Sequence, residues 1–357
     1  MKVLINATSA RLGGGITVLR HLVPALLDCD GGRHQYRLAA RAAVAALLPQ
    51  HPRLELLVPR AAASRSARLL WEQCALPFAA CDVLLSVGNV AALAARAPQV
   101  LLFQNAAPFD PSVRARAPRR ARARLSALRA LGILSARRAS RVVFLSESAR
   151  SLLLPQLGMP RERTDVVHLG QDPAFQPARD GGDSGPILCV SQLYFYKNIV
   201  ELVRALAQVP GARLEIVGAA PEPAYARKVR EEIDRLSLSA RVKLVGPVPY
   251  AALPALYAQA RVFAFPSTCE SFPNILVEAL AAGAPVACSD RGPMREIAGE
   301  AAVYFDPDDP RSIAVQLDRL WQDAAARAEL RRRGPLQAAR YSWTRAAQGV
   351  LRALEEA

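Results

Sequence analysis

Short apolar runs alternate with longer stretches of mixed apolar and polar residues along most of the chain. The runs read as strands and the stretches between them as amphipathic helices, which argues an α/β protein with parallel sheets. In the first half, strands are predicted at residues 2–6, 54–58, 82–86, 99–103, 141–145 and 165–168, with helices near 16–27, 119–139 and 149–157. A second series follows: strands at 187–191, 213–217, 242–245, 261–265, 285–288 and 302–304, with helices at 199–207, 224–236, 251–258, 274–282 and 311–323. Between the two lies PAFQPARDGGDSGP (Pro173 to Pro186), whose Pro, Gly and Asp content marks a linker. Two similar units joined by one linker imply a cleft between them, a favoured place for a ligand. From about Tyr341 the chain reads as an amphipathic helix without a strand partner, able to pack back onto the first unit.

The length of 357 residues suits two domains, each with its own core. A hydrophobic fraction of 52% excludes a disordered chain. No stretch of 18 residues lacks a charge or a breaker, so no transmembrane helix is expected. The start, MKVLINATSARLGGG, is a first strand rather than a signal peptide. The six cysteines form no CxxC pair and read as small apolar residues of a reducing cytoplasm. The four histidines lack metal spacing. Asp28-Cys29-Asp30 and Asp306-Pro307-Asp308 read as caps and turns rather than metal ligands, so no metal site is expected.

The net charge of +15 concentrates between Arg114 and Arg141, a segment with ten arginines and no acid. It is either a solvated helix or a face for an anionic membrane. Nucleic acid is not expected as a partner: no binding motif is present, and aromatic residues make up only 6%, too few for stacking platforms.

Candidate chemistry sits where strands end. ESFPNILVE (Glu270 to Glu278) follows one strand and opens a helix, which places one carboxylate at the turn and another two turns into the helix. Helix N-termini bind anions, and strand ends of open parallel sheets bind ligands. CVSQLYFYKNIV (Cys189 to Val200) puts Lys197 near the start of a helix, where a cation can meet an anion. Gly13, Gly14 and Gly15 open the first helix without GxGxxG spacing; they make a phosphate loop or a plain tight turn. FQNAAPFD (Phe103 to Asp110) sets Gln104 and Asn105 at a strand end, for a ligand or for loop capping. Gly218 permits either a turn or close backbone approach to a ligand.

With these residues in view, the chain resembles the large retaining glycosyltransferase family 4, the glycosyl transferases group 1, with the GT-B fold. The motifs are Glu270-x7-Glu278, its sequel ALAAGAPVACSDRGPMREIAGEAAVYFDPDD and the preceding GPVPYAALPALYAQARVFAFPS; the likeness is strongest from Pro186 to about Pro310. It implies two Rossmann-like parallel-sheet domains, residues 1–175 on the acceptor side and 186–335 on the nucleotide-sugar side, with an interdomain cleft and a C-terminal helix, 336–357, crossing back. It further implies transfer of a hexose, with mannose one candidate, from a nucleotide-diphosphate sugar to an acceptor hydroxyl with retention. No cofactor is implied beyond that co-substrate. Lys197 would neutralise the diphosphate, Glu270 would contact the sugar, and Asn105 would stand where a histidine is common. Glu278 would hold the ribose, and Gln192, Gly14, Gly15, Gly218, Phe272, Asn274 and Ile275 would line the nucleotide-sugar site.

Two departures matter. Gln192 stands where the family commonly has arginine, and Pro273 stands where it has glycine, which removes an amide donor. The implied setting is bacterial surface polysaccharide or lipopolysaccharide assembly. The acceptor would be a glycan or lipid-linked, and the enzyme cytoplasmic and peripheral on the inner membrane. A catalytically silent, nucleotide-sugar-binding scaffold and another GT-B-like enzyme, such as an epimerase or a phosphorylase, remain open.

Overall fold

A computed structural model describes residues 1–10, 13–177 and 182–357. The chain folds into two compact units, one of Met1–Gly170 with Ser342–Ala357 and one of Gln171–Tyr341. Of the linker read from the sequence, residues 178–181 lie outside the described residues.

The first unit is built on strands β1 (Lys2–Asn6), β2 (Gln35–Ala39), β3 (Leu54–Leu57), β4 (Val83–Val87), β5 (Gln99–Phe103), β6 (Arg141–Phe144) and β7 (Thr164–Val166). They form one seven-stranded sheet in the order β3-β2-β1-β4-β5-β6-β7, every pair parallel. Strands β4 and β5 are buried throughout, as strands covered by helices on both faces must be. The expected two-unit parallel architecture holds, with one strand more than the sequence suggested. β2, QYRLA, carries glutamine and arginine among its apolar positions and leaves no continuous apolar run.

The second unit has β8 (Ile187–Val190), β9 (Leu214–Val217), β10 (Val242–Gly246), β11 (Val262–Phe265), β12 (Val286–Ser289) and β13 (Ala302–Phe305). Their order is β10-β9-β8-β11-β12-β13, again parallel. A core of Ile, Leu and Val from β8, β9 and helices Ile199–Leu206 and Pro310–Gln322 packs against one face.

The last helix, Trp343–Glu355, starts at a Ser342 cap and lies along the Gly14–Cys29 helix, with the rings of His21 and Trp343 stacked at 5.2 Å. Gly170 is required at the entry to this region, since a Cβ there would come within 2.2 Å of the Trp343 nitrogen. Residues 336–341, placed with the terminal helix on sequence, belong to the second unit, where the Ala324–Ala338 helix ends and Tyr341 packs on Phe272. Residues 171–175 also cluster with the second unit, because Phe175 is wedged against Tyr250 and Tyr257.

Candidate functional site

In each sheet the chain reverses its direction of travel between two adjacent central strands, β1 and β4 in the first and β8 and β11 in the second. The carboxyl ends of such strands splay apart and leave the crevice where open α/β sheets bind ligands. Lys197 follows β8 and Glu270 follows β11, so the second crevice has a cation on one side and a carboxylate on the other.

Local structure fixes both. After β8, Ser191 and Leu193 donate amides to Val217 and Ala219, at 2.8 and 2.9 Å. One 3₁₀ turn, Phe195–Lys197, then ends in Asn198 at φ 57°, a left-handed value that asparagine tolerates. The Asn198 side chain donates to Pro307 O, which pins the turn. After β11, the amide and hydroxyl of Thr268 both donate to Tyr196 O, at 2.9 and 3.0 Å, stitching the Glu270 loop to the Lys197 loop. As a result Lys197 Nζ and Glu270 Oε1 are in direct contact, with side chains 11% and 15% exposed. The ammonium also sits 5.3 Å from the Tyr196 ring centre and 5.8 Å from that of Phe265. Burial, reinforced by the Glu270 charge, pushes the Tyr196 hydroxyl well above the usual phenol range.

Glu278 lies on the Asn274–Ala281 helix and is almost fully buried, 6% exposed. Tyr250 and Tyr257 hydroxyls each approach one of its oxygens at 3.2 Å. Burial pushes its carboxyl up to about 8, and the nearby Asp172 charge acts in the same direction. Asn274 and Ile275 open this helix, which has no side-chain cap and no acid in its first turn. Phe272 is buried with its ring edge-on to Tyr341 at 5.8 Å, so its visible work is packing.

Gly218 has φ 148°, and a Cβ there would fall 2.0 Å from Ser191 O. The close approach that needs this glycine is made by the chain's own backbone. Gln192 accepts the Tyr194 amide at 2.9 Å through its carbonyl and brings no charge. Arg291, in the loop after β12, does not fill the place of the missing arginine: it is bound to Asp306 at 3.0 Å and to Asp308.

On the first unit, Gly13 at φ 61° caps the Gly14–Cys29 helix, which also lacks a side-chain cap and an acidic first turn. Gly14 is exposed and Gly15 half-buried, with Gln104 Oε1 3.8 Å from where a Gly15 Cβ would be. Asn105 is exposed, and its Oδ1 accepts the Ala107 amide at 3.1 Å. Asn89 shapes this loop by accepting the Gln104 and Asn105 amides, both at 3.0 Å. Gly14, Gly15 and Asn105 therefore stand on one unit, and the remaining candidates on the other.

Sequence reading missed Asn89, Thr268, Asp172, Tyr250 and Tyr257. The two tyrosines had a signal: they lie seven residues apart in YAALPALY, one helical face, directly before the strand that leads to Glu270.

Residues 173–337 match the family described as glycosyl transferases group 1. O-antigen chain mannosyltransferase B of Escherichia coli is 35% identical over 111 residues, 31% of this chain and 29% of that protein. The chain thus spans under a third of that curated relative's length. Among solved structures, HepE of Anabaena in complex with UDP and glucose superimposes with a TM-score of 0.79 at 22% identity, over 100% of both chains. WaaG, a glycosyltransferase involved in lipopolysaccharide biosynthesis, does so with a TM-score of 0.73 at 14% identity, over 99% of both. These structures share the GT-B fold with this chain.

Proposed function

On the premise that the second unit of this chain belongs to the glycosyl transferases group 1 family, we propose that the protein moves a hexose from a nucleotide-diphosphate sugar to an acceptor hydroxyl, with the anomeric configuration retained. The observation that carries this reading is the partly buried Lys197–Glu270 contact at the crevice between β8 and β11. A diphosphate entering there takes the ammonium, and the hydroxyls of its sugar take the carboxylate. Both charges then change partner without being left bare, which a buried pair requires. Developing charge on the leaving diphosphate is met by Lys197 and by the uncapped Asn274–Ala281 helix end. Glu278 takes the ribose.

The test is incubation with a panel of UDP- and GDP-linked hexoses and a polyprenyl-diphosphate-linked acceptor, followed by nucleotide release. Release that depends on the acceptor is the expected result. Gln192 in the place of an arginine, with Arg291 committed elsewhere, favours a second reading, a silent nucleotide-sugar-binding scaffold. Tight binding without turnover across the panel would establish that one instead.

The acceptor side of the proposal is a lipid-linked glycan at an anionic membrane, as in surface-polysaccharide assembly. No helix among the described residues is long and apolar enough to span a bilayer. The Arg119–Arg138 helix would instead meet that surface chiefly through its charge. Its exposed Ala123, Ala127, Ala130 and Leu134 fall within about 60° of one another at 100° per residue. Arg119 borders that stripe on one side and Arg120 on the other, while Arg137 and Arg138 hold the carbonyls of Leu157 and Leu93, both at 3.1 Å. Several arginines of the segment are already engaged: Arg122 with Ala115 O at 3.0 Å, Arg129 with Gln156 at 3.0 Å, and Arg141 with Asp165 at 3.0 Å. Arg119 and Arg120 sit in the first helical turn, where the helix dipole disfavours cations by roughly 0.3–1 kcal/mol each, so an anionic surface would relieve them. Wild type is expected to sediment with phosphatidylglycerol vesicles and not with phosphatidylcholine ones, and the R119E/R120E/R124E variant with neither. Equal partitioning onto both kinds of vesicle would leave the arginines as plain surface.

A further inference from the structure

Three aromatic residues, Tyr194, Phe195 and Tyr196, lead directly into Lys197, and the function proposed above uses none of them. Tyr196 is held on several sides. Its carbonyl accepts both the amide and the hydroxyl of Thr268, at 2.9 and 3.0 Å. Its ring is stacked on that of Tyr194, with centres 5.4 Å apart and planes 10° from parallel, and Phe195 stands edge-on to it at 5.5 Å. The Lys197 ammonium lies 5.3 Å from the same ring centre. Backbone and ring are therefore fixed, and the phenol oxygen has a set position beside the ammonium.

The hydroxyl itself is uncommitted. Among the described residues it has no hydrogen-bond partner, and its oxygen is not enclosed by packing. The polar groups around it are engaged. Lys197 and Glu270 hold each other, Ser191 Oγ turns to Gln192 O at 3.1 Å, and Arg291 is bound to Asp306 and Asp308. Burial, with the Glu270 charge acting the same way, keeps the phenol protonated far above neutrality, so it stays a donor. A diphosphate brings several acceptor oxygens and more than one negative charge, which a single ammonium does not satisfy.

We propose that the Tyr196 hydroxyl is a further donor to the sugar-bearing phosphate of the nucleotide sugar, beside the Lys197 ammonium. The proposal rests on the reading of the β8–β11 crevice made above. In that reading Glu270 takes the sugar, and Glu270 touches the ammonium, so the phosphate that meets Lys197 is the one bearing the sugar. A hydroxyl without a protein partner turns to that phosphate with no bond to break, and a ring already stacked has little freedom left to lose. Tyr194 is then a brace: the ammonium meets the rings of Tyr196 and Phe265, and Tyr194 backs the first of these.

Tyr196→Phe tests this, because it keeps the ring, its stack and the ammonium contact and removes the hydroxyl alone. Calorimetric titration compares UDP and GDP with UMP and GMP on wild type and on the variant. The diphosphate that wild type prefers is expected to bind the variant roughly 10–100-fold more weakly, the loss of a hydrogen bond to a charged group. The matching monophosphate, which lacks the sugar-bearing position, is expected to bind the two proteins alike. The thermal midpoint is expected to be unchanged, since the hydroxyl supports no other group of the protein. Equal diphosphate affinity in the two proteins overturns the proposal and leaves the nucleotide-sugar reading standing. A loss shared equally by monophosphate and diphosphate, or one that comes with a lowered midpoint, makes the hydroxyl a support of the loop and overturns it too. If wild type binds neither UDP nor GDP, the nucleotide-sugar reading falls and takes the proposal with it.

Discussion

Replacing Lys197 by alanine is expected to lower kcat/KM for sugar transfer by about 10²–10³. Charge grows on the departing diphosphate as the glycosidic bond breaks, so an ammonium fixed beside it stabilises the transition state more than the bound substrate. The loss should therefore fall mainly on kcat, with a smaller change in KM. The structure adds a complication that the motif alone does not reveal. Lys197 is the charge partner of Glu270 in a place where both side chains are largely buried, so the alanine variant leaves a carboxylate unpaired. Thermal unfolding of the same preparation separates the two effects. Lys197→Arg keeps the charge but not the compact geometry of an ammonium, and should recover only part of the rate. Full turnover in a folded Lys197→Ala protein would remove the residue from the mechanism.

That pair was legible in the sequence as two separate facts, a lysine after one strand and a glutamate after another. Their contact was not, because it depends on strand order: the strands that carry them are neighbours across the turning point of the sheet, though Lys197 and Glu270 lie 73 residues apart. Gly218 shows the opposite case. A glycine at a strand end invites a ligand in the sequence, yet its space is filled by Ser191 O, a backbone atom whose position no local pattern encodes. β2 escaped notice because its glutamine and arginine break the apolar run, though its neighbours β1 and β3 cover it on both edges. The arginine segment was readable as charge alone. Which of its side chains are already used emerges only once the carbonyls of Ala115, Leu157 and Leu93 are brought beside it.

In the second unit an ammonium meets a carboxylate, and a buried carboxyl group meets two phenols. A polyhydroxylated diphosphate offers a replacement for each contact. On the proposed function each contact would be exchanged for one to the ligand, so neither charge would pass through an unpaired state.

The second large effect is on stability, and it comes from Glu278. Its carboxyl titrates near 8 in the folded protein against an ordinary value of 4.5. A raised value means that the folded state holds the proton more tightly than the unfolded one. The contribution is therefore complete below about pH 4.5 and is lost as pH rises through about 8. At about 1.4 kcal/mol per unit, the full span is worth roughly 3–5 kcal/mol, enough to register in a protein of ordinary stability. Urea unfolding at about pH 5.5 and pH 8.5 should show the wild type losing most of that amount relative to Glu278→Gln, whose amide cannot ionise. At the higher pH the glutamine variant should be the more stable of the two, and yet bind nucleotide roughly 10–100-fold more weakly, since a charged acceptor for the ribose hydroxyls is gone. Stability and function would then pull on one side chain in opposite directions. If the two proteins keep a constant difference in unfolding free energy across that pH range, Glu278 is ionised in the folded state and its burial does not control its charge.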